Sequence, residues 1–210
     1  MSQNGLIVAG PTDETGGEPR FRLTEEWITA PRRLEGEEAL AELAWRFARG
    51  RGPVTERDLA WWTGLGLREV RTGLAAAASA GQLSRLDAEG RSYWAEPELL
   101  AGPSAPPEDA ATLMLPGFDE HLLGYTERDA VLDSQNFERI VPGRNGMFRA
   151  TVVEQGRVVG VWTRTSRTKS TRIQVEPFPR KRLSLARLRH AAEKWSAFQG
   201  VDVEVEIVKA

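Results

Sequence analysis

Apolar residues recur along the chain with two different periods, and the switch between them divides it. Near the start, Leu6-Ile7-Val8-Ala9 and Phe21-Arg22-Leu23 flank a Gly/Pro/acid stretch from Pro11 to Pro19, which predicts a hairpin with a long loop. From Gly36 to Ala48 the period becomes helical. Leu40, Leu43, Ala44 and Phe47 stand at i, i+3, i+4 and i+7. Gly50 and Gly52-Pro53 end that helix. Thr55-Glu56-Arg57-Asp58 has the form of a capping box, with Asp58 in place of the usual glutamate, and opens a short helix through Trp62. After Gly64-Leu65-Gly66 a third helix is predicted over about 67–78, with Leu67, Val70, Leu74 and Ala78 inward. Gln82–Leu86, the turn Asp87-Ala88-Glu89-Gly90 and Ser92-Tyr93-Trp94 complete a hairpin. Three helices followed by a hairpin is the order of a winged helix-turn-helix.

Glu98 to Asp109 is rich in Pro, Gly and Ala and reads as a linker. Beyond it the period shortens to that of strands. Met147–Val153 and Val158–Thr163 flank Glu154-Gln155-Gly156-Arg157, a hairpin signal, and Ile173–Phe178 follows a polar loop. Val201, Val203, Val205 and Ile207 alternate with Asp202, Glu204 and Glu206, as in a strand buried on one face. Between these, Ser184 caps a helix carrying Leu185, Leu188, Ala192 and Trp195 on one side, with Gly200 at its end. The expected fold class is therefore α+β. A winged helix-turn-helix (31–97) follows an isolated hairpin (1–30). A linker (98–110) then leads to a small, basic, β-barrel-like domain with a C-terminal helix (111–210).

Composition narrows the chemistry. Cysteine is absent, so disulfides, thiolate nucleophiles and cysteine-bound zinc are excluded, and His121 and His190 are too far apart to suggest a histidine metal site. No apolar run approaches the ~20 residues of a membrane span, so no membrane association is expected and a cytoplasmic, nucleoid-associated protein is. The net charge of −2 conceals a polarised chain. From Met1 to Glu138, 13 Lys+Arg face 24 Asp+Glu, a net −11; from Arg139 onward 15 face 6, a net +9. Such a chain can offer a basic face to a polyanion, or simply dock its basic half on its acidic one.

The strongest candidate for contact with a polyanion is the run from Thr163 to Arg172. It holds Arg164, Arg167, Lys169 and Arg172 with six hydroxyl residues besides, and no acid or apolar side chain. Guanidinium and hydroxyl groups both donate to phosphate oxygens, so a basic hairpin there suits a duplex backbone, the plain alternative being a solvated turn. Arg144 and Arg149 belong to the same basic half, with Arg180, Lys181 and Arg182. On the third helix, Arg68 and Arg71 are outward candidates for base or phosphate contact, with Glu69 opposing the latter, although a structural role for this helix is the preferred reading. Trp61-Trp62 is read as one ring in the core and one at a domain interface, rather than as a stacking pair for bases. Asp119, Glu120 and His121 combine acid and imidazole groups that could do general acid/base work, but a structural or DNA-orienting role is the preferred reading. On a strand, adjacent side chains would point to opposite faces. No Walker loop, dinucleotide fingerprint, nucleophile elbow or metalloprotease motif occurs, and no catalytic residue, metal or cofactor is predicted.

Two long stretches carry a family resemblance. Gly52-Pro53-Val54-Thr55 through Asp58-Leu59-Ala60-Trp61-Trp62-Thr63-Gly64-Leu65 and Leu115-Pro116-Gly117-Phe118-Asp119-Glu120-His121-Leu122-Leu123-Gly124-Tyr125 resemble stretches of AlkZ/YcaQ-like DNA glycosylases, with His121 where tyrosine is usual. Arg128, Val141–Arg149 and Gly156–Trp162 fit in the same order. The resemblance implies tandem winged helices joined to a β-domain around duplex DNA, and excision of alkylated bases or unhooking of interstrand cross-links. It also implies a catalytic triplet, glutamine–apolar–glutamine or aspartate, near the start of a longer chain. Here Gln3, Gln82, Gln135, Gln155, Gln174 and Gln199 are each isolated from such a triplet. The expectation is a duplex-DNA-binding module resembling the C-terminal part of such an enzyme. Its first hairpin would be the wing of the preceding winged helix, its partner double-stranded DNA, intact or damaged, and its catalytic residues those of an N-terminal segment or separate subunit. A winged-helix transcription regulator and a protein-interaction module are the alternatives.

Overall fold

The three helical stripes and the strand-period half meet across a shared boundary built from the two long motifs. A computed structural model describes residues 5–12, 20–101, 112–166 and 170–208. Strands β1 (Ile7–Ala9) and β2 (Phe21–Leu23) pair antiparallel, and the single-turn helix α1 (Thr24–Trp27) follows directly. Leu6, Phe21, Leu23 and Trp27 remain exposed there.

Helix α2 (Gly36–Arg51) runs three residues past its predicted end, and α3 (Glu56–Thr63) and α4 (Leu67–Ser79) follow it. Ala44, Phe47, Val54, Leu59, Val70, Leu74 and Leu83 form one buried cluster among them. The helices approach closely because Gly73 faces the backbone of α2, where a Cβ would lie 2.5 Å from the Leu40 carbonyl oxygen. The capping box at Thr55 is present: Thr55 Oγ1 accepts from the Asp58 N–H while the Asp58 carboxylate accepts from the Thr55 N–H. Strands β3 (Ser84–Ala88) and β4 (Arg91–Ala95) form the predicted hairpin, and Val54 bridges to Trp94 beside it. Helix α5 (Pro97–Leu100) occupies the start of the expected linker, whose residues 102–110 lie outside the described ones.

The second half is an open sheet and not a barrel. Among the described residues its order is β5 (Leu113–Leu115), β6 (Thr151–Glu154), β7 (Arg157–Ser166), β8 (Ser170–Pro177), β9 (Asp202–Ile207), antiparallel except for the parallel pair β8–β9. The reason lies in β7, whose Val158-Val159-Gly160-Val161 run is buried throughout and so must be covered on both faces. On one face α8 (Leu185–Gln199) packs Leu188 and Ala192 against Val152, Val159, Ile173, Val175 and Val205. On the other, α6 (Glu120–Leu123) and α7 (Phe137–Ile140) bring Leu122, Ile140 and Val141 onto Val153, Val158, Val161 and Phe178. With a layer on each side, the sheet has no need to close on itself. The pairing register shifts between Val152 and Val153, leaving Val159 as an extra residue on β7, so that Val158 and Val161, three apart, face the same layer.

The run from Thr163 to Arg172 is strand rather than loop over most of its length. Pairing continues to Ser166↔Thr171, leaving 167–169 as the connection, outside the described residues. Threonine alternation explains this, since β-branched residues favour the pleated strand even when exposed. The strand expected from Met147 begins only at Thr151, because 147–150 instead cross the Pro116–Phe118 turn. A Cβ on Gly117 would lie 2.8 Å from the Phe148 carbonyl oxygen.

Candidate nucleic-acid interface

The two long motifs lie against each other. Asp58 is 3% exposed, and its two oxygens are fully engaged. Oδ2 accepts from the N–H and hydroxyl of Thr55, and Oδ1 accepts from the N–H and hydroxyl of Thr126, each at 2.8 Å. One carboxylate thus caps α3 and holds the loop after α6. Arg51, the last residue of α2, lays its guanidinium over the rings of Trp62 (4.6 Å) and Phe47 (5.3 Å) and reaches Glu120 at 3.2 Å. The Tyr125 hydroxyl donates to the Arg51 carbonyl oxygen, and Trp61 Nε1 donates to the Leu123 carbonyl oxygen. Burial pushes the Tyr125 phenol pKa above its ordinary value, keeping it a donor.

This joint revises two expectations. Neither ring of Trp61-Trp62 is in the core: the residues are 59% and 46% exposed, and both serve the joint. Asp119, Glu120 and His121 are not on a strand. They start α6, where Asp119 accepts from the His121 N–H, Glu120 faces Arg51, and His121 Nε2 lies 3.2 Å from the Gly156 carbonyl oxygen. Each of the three has a partner in the scaffold. Alongside, a cleft of about 460 Å³ is lined by Arg57, Arg85, Arg91, Glu56, Glu127 and Trp94. Its guanidinium groups are largely matched, Arg91 to Glu127 at 3.3 Å and Arg85 to Asp87 at 3.1 Å.

The arginines expected to contact DNA do not form one cluster. Arg71 grips Glu56 through two hydrogen bonds of 2.7 and 2.8 Å, which raises its own pKa and holds the Glu56 carboxyl below its ordinary value. Arg149 approaches Glu176 at 3.9 Å and donates to the Arg139 carbonyl oxygen. Arg144 stands 3.9 Å from Glu138, and Arg172 is 3.3 Å from Glu204. Arg164 lies over the ring of Trp195 on α8, at 5.4 Å from its centroid. Arg68 is exposed at the start of α4 with no ion pair among the described residues, and Arg167 and Lys169 lie outside them. Arg180, Lys181 and Arg182, in the turn before α8, are also exposed and without ion pairs among the described residues.

Two surfaces result, one internally neutralised and one available. The available one is the outer end of β7 and β8, where Thr163, Arg164, Thr165, Ser166 and Ser170 are exposed with no acidic partner among the described residues, and Arg172 is exposed beside Glu204. The importance of Asp58 and Arg51 escaped the sequence reading. The capping box revealed half of the Asp58 role, but Thr126 is 68 residues away and carries no local signal.

Residues 1–198 match the family described as "DNA glycosylase AlkZ-like". The chain is similar to the interstrand DNA cross-link repair glycosylase of Streptomyces sahachiroi, at 32% identity over 98 residues, which is 47% of this chain and 25% of that protein. It is also similar to the solved structure of the Streptomyces sahachiroi DNA glycosylase AlkZ, with a TM-score of 0.76 and 25% identity. That superposition covers 97% of this chain and 55% of the other, so the chain spans about half the length of this solved relative.

Proposed function

The chain belongs to the DNA glycosylase AlkZ-like family, and from that premise we propose that these 210 residues form a duplex-DNA-gripping part of a base-excising or cross-link-unhooking repair glycosylase. The glutamine–apolar–glutamine or aspartate triplet does not occur in them, so excision depends on residues supplied by another segment or subunit. Residues 31–97 act as a winged helix-turn-helix, with β3–β4 as wing and α4, bearing Arg68, directed at the duplex. Residues 111–210 act as the basic β-rich unit. A nucleoid-associated location follows from that substrate.

The observation that carries this reading is the exposed end of the β7–β8 hairpin. Thr163, Arg164, Thr165, Ser166 and Ser170 are exposed there, with Arg172 beside them, and every one carries a hydroxyl or guanidinium group. They are donors matched to phosphate oxygens, and the hairpin is narrow enough for a groove. Phosphate contact of this kind grips DNA without reading sequence. Fluorescence anisotropy with random-sequence duplexes at low salt tests the reading. Binding that is equal among sequences and weakens steeply with salt is expected, and no binding would overturn it.

A further inference from the structure

The topology of the last three elements brings an aromatic pair to the tip end of the same hairpin. Strand β8 runs inward from Ser170, α8 runs back the opposite way, and β9 starts beside the tip with Asp202 paired to Ser170. The C-terminal turn of α8, closed by Gly200 in the left-handed conformation, therefore lies at the hairpin's outer end. Leu188 and Ala192 of this helix are buried against the sheet, and Trp195 is half-buried under Arg164. Phe198, about 4.5 Å further along the axis at 1.5 Å per residue, is 84% exposed.

A phenylalanine left that open gains nothing from the fold, and its surroundings are those of an anion-facing surface. Val203 and Val205 face α8, so by alternation Asp202 and Glu204 point to the sheet's other face, where Arg172 holds Glu204. On the α8 side, Glu193 is engaged by His190, while Lys194 is exposed without an ion pair among the described residues. Phe198 stands three residues beyond Trp195, on the neighbouring stripe of the same helix, so an open phenyl ring follows directly on the Arg164–Trp195 stack, where a base could stack while phosphate meets the guanidinium.

We propose that Phe198, backed by Trp195 and Arg164, is a stacking site for an unstacked base in bound DNA. This rests on the duplex-binding reading above and adds a preference for DNA with an unpaired base. The test compares a fully paired duplex with one carrying a single bulged 2-aminopurine, for the unaltered chain, Phe198→Ala and Phe198→Tyr. The unaltered chain and Phe198→Tyr bind the bulged duplex roughly tenfold more tightly and quench its 2-aminopurine. Phe198→Ala loses both effects while keeping its affinity for the paired duplex. Equal affinity of the unaltered chain for both duplexes, or an unchanged Phe198→Ala, would overturn the site. A concentration-dependent dimer abolished by Phe198→Ala would assign the ring to a second copy and also overturn it. Failure of the unaltered chain to bind either duplex would instead remove the DNA-binding reading, and the stacking site with it.

Discussion

Arg51 and Arg164 both lay a guanidinium on a tryptophan, at 4.6 and 5.4 Å, in opposite settings. Arg51 ends a helix packed by one face, pairs with Glu120, and sits in a joint where a carboxylate, a phenol and an indole each have a partner. Arg164 stands on an open strand end among exposed hydroxyls, with an exposed aromatic nearby. The motifs that make the chain recognisable thus build its internal joint. A plain run of Thr, Ser and Arg, with little to distinguish it as a motif, makes the surface left free for a ligand. Distinctive sequence reports packing here, and undistinguished sequence reports exposed surface.

That contrast predicts different consequences for substitutions in the two regions. Asp58→Ala removes a cap and orphans donors on Thr55 and Thr126, and should cost about 2–4 kcal/mol, measured by urea denaturation. The same loss from any hairpin position would erase the distinction. Arg51→Ala loses stacking on two rings and the Glu120 pair, with an expected cost of about 1–2 kcal/mol. Its duplex affinity per folded molecule should be unchanged, as anisotropy on the refolded variant can check.

Glu56→Gln is the mildest change. Arg71 holds the Glu56 carboxyl below its ordinary value of 4.5, so the pair contributes above that pH and loses its contribution as pH falls through the lowered value. The variant should differ from the unaltered chain by a few tenths of a kcal/mol at neutral pH, this pair being largely exposed, and the gap should close as the pH falls below the ordinary carboxyl value and through the lowered one. A gap that widened on acidification would contradict the pairing.

The helical half was readable because its signals are local. Leu40, Leu43, Ala44 and Phe47 carry the helical period of α2, Thr55 and Asp58 carry the cap of α3, and Gly200 carries the end of α8. The barrel expectation failed where a non-local fact decided the outcome. The valines of β7 announce burial, but not that α8 covers one face and α6 with α7 the other. The candidate site was legible as charge and not as pairing. Counting arginines from 139 onward gave the sign of the surface, whereas Glu138, Glu176 and Glu204 take up Arg144, Arg149 and Arg172 through tertiary proximity that no spacing reveals.

The sharpest test replaces Arg164, Arg167, Lys169 and Arg172 together with alanine and follows duplex affinity against salt. If all four meet phosphates, the slope of log K on log salt becomes shallower by about 3.6 while stability is nearly unchanged. An unaltered slope and affinity would show that the hairpin end does not grip DNA.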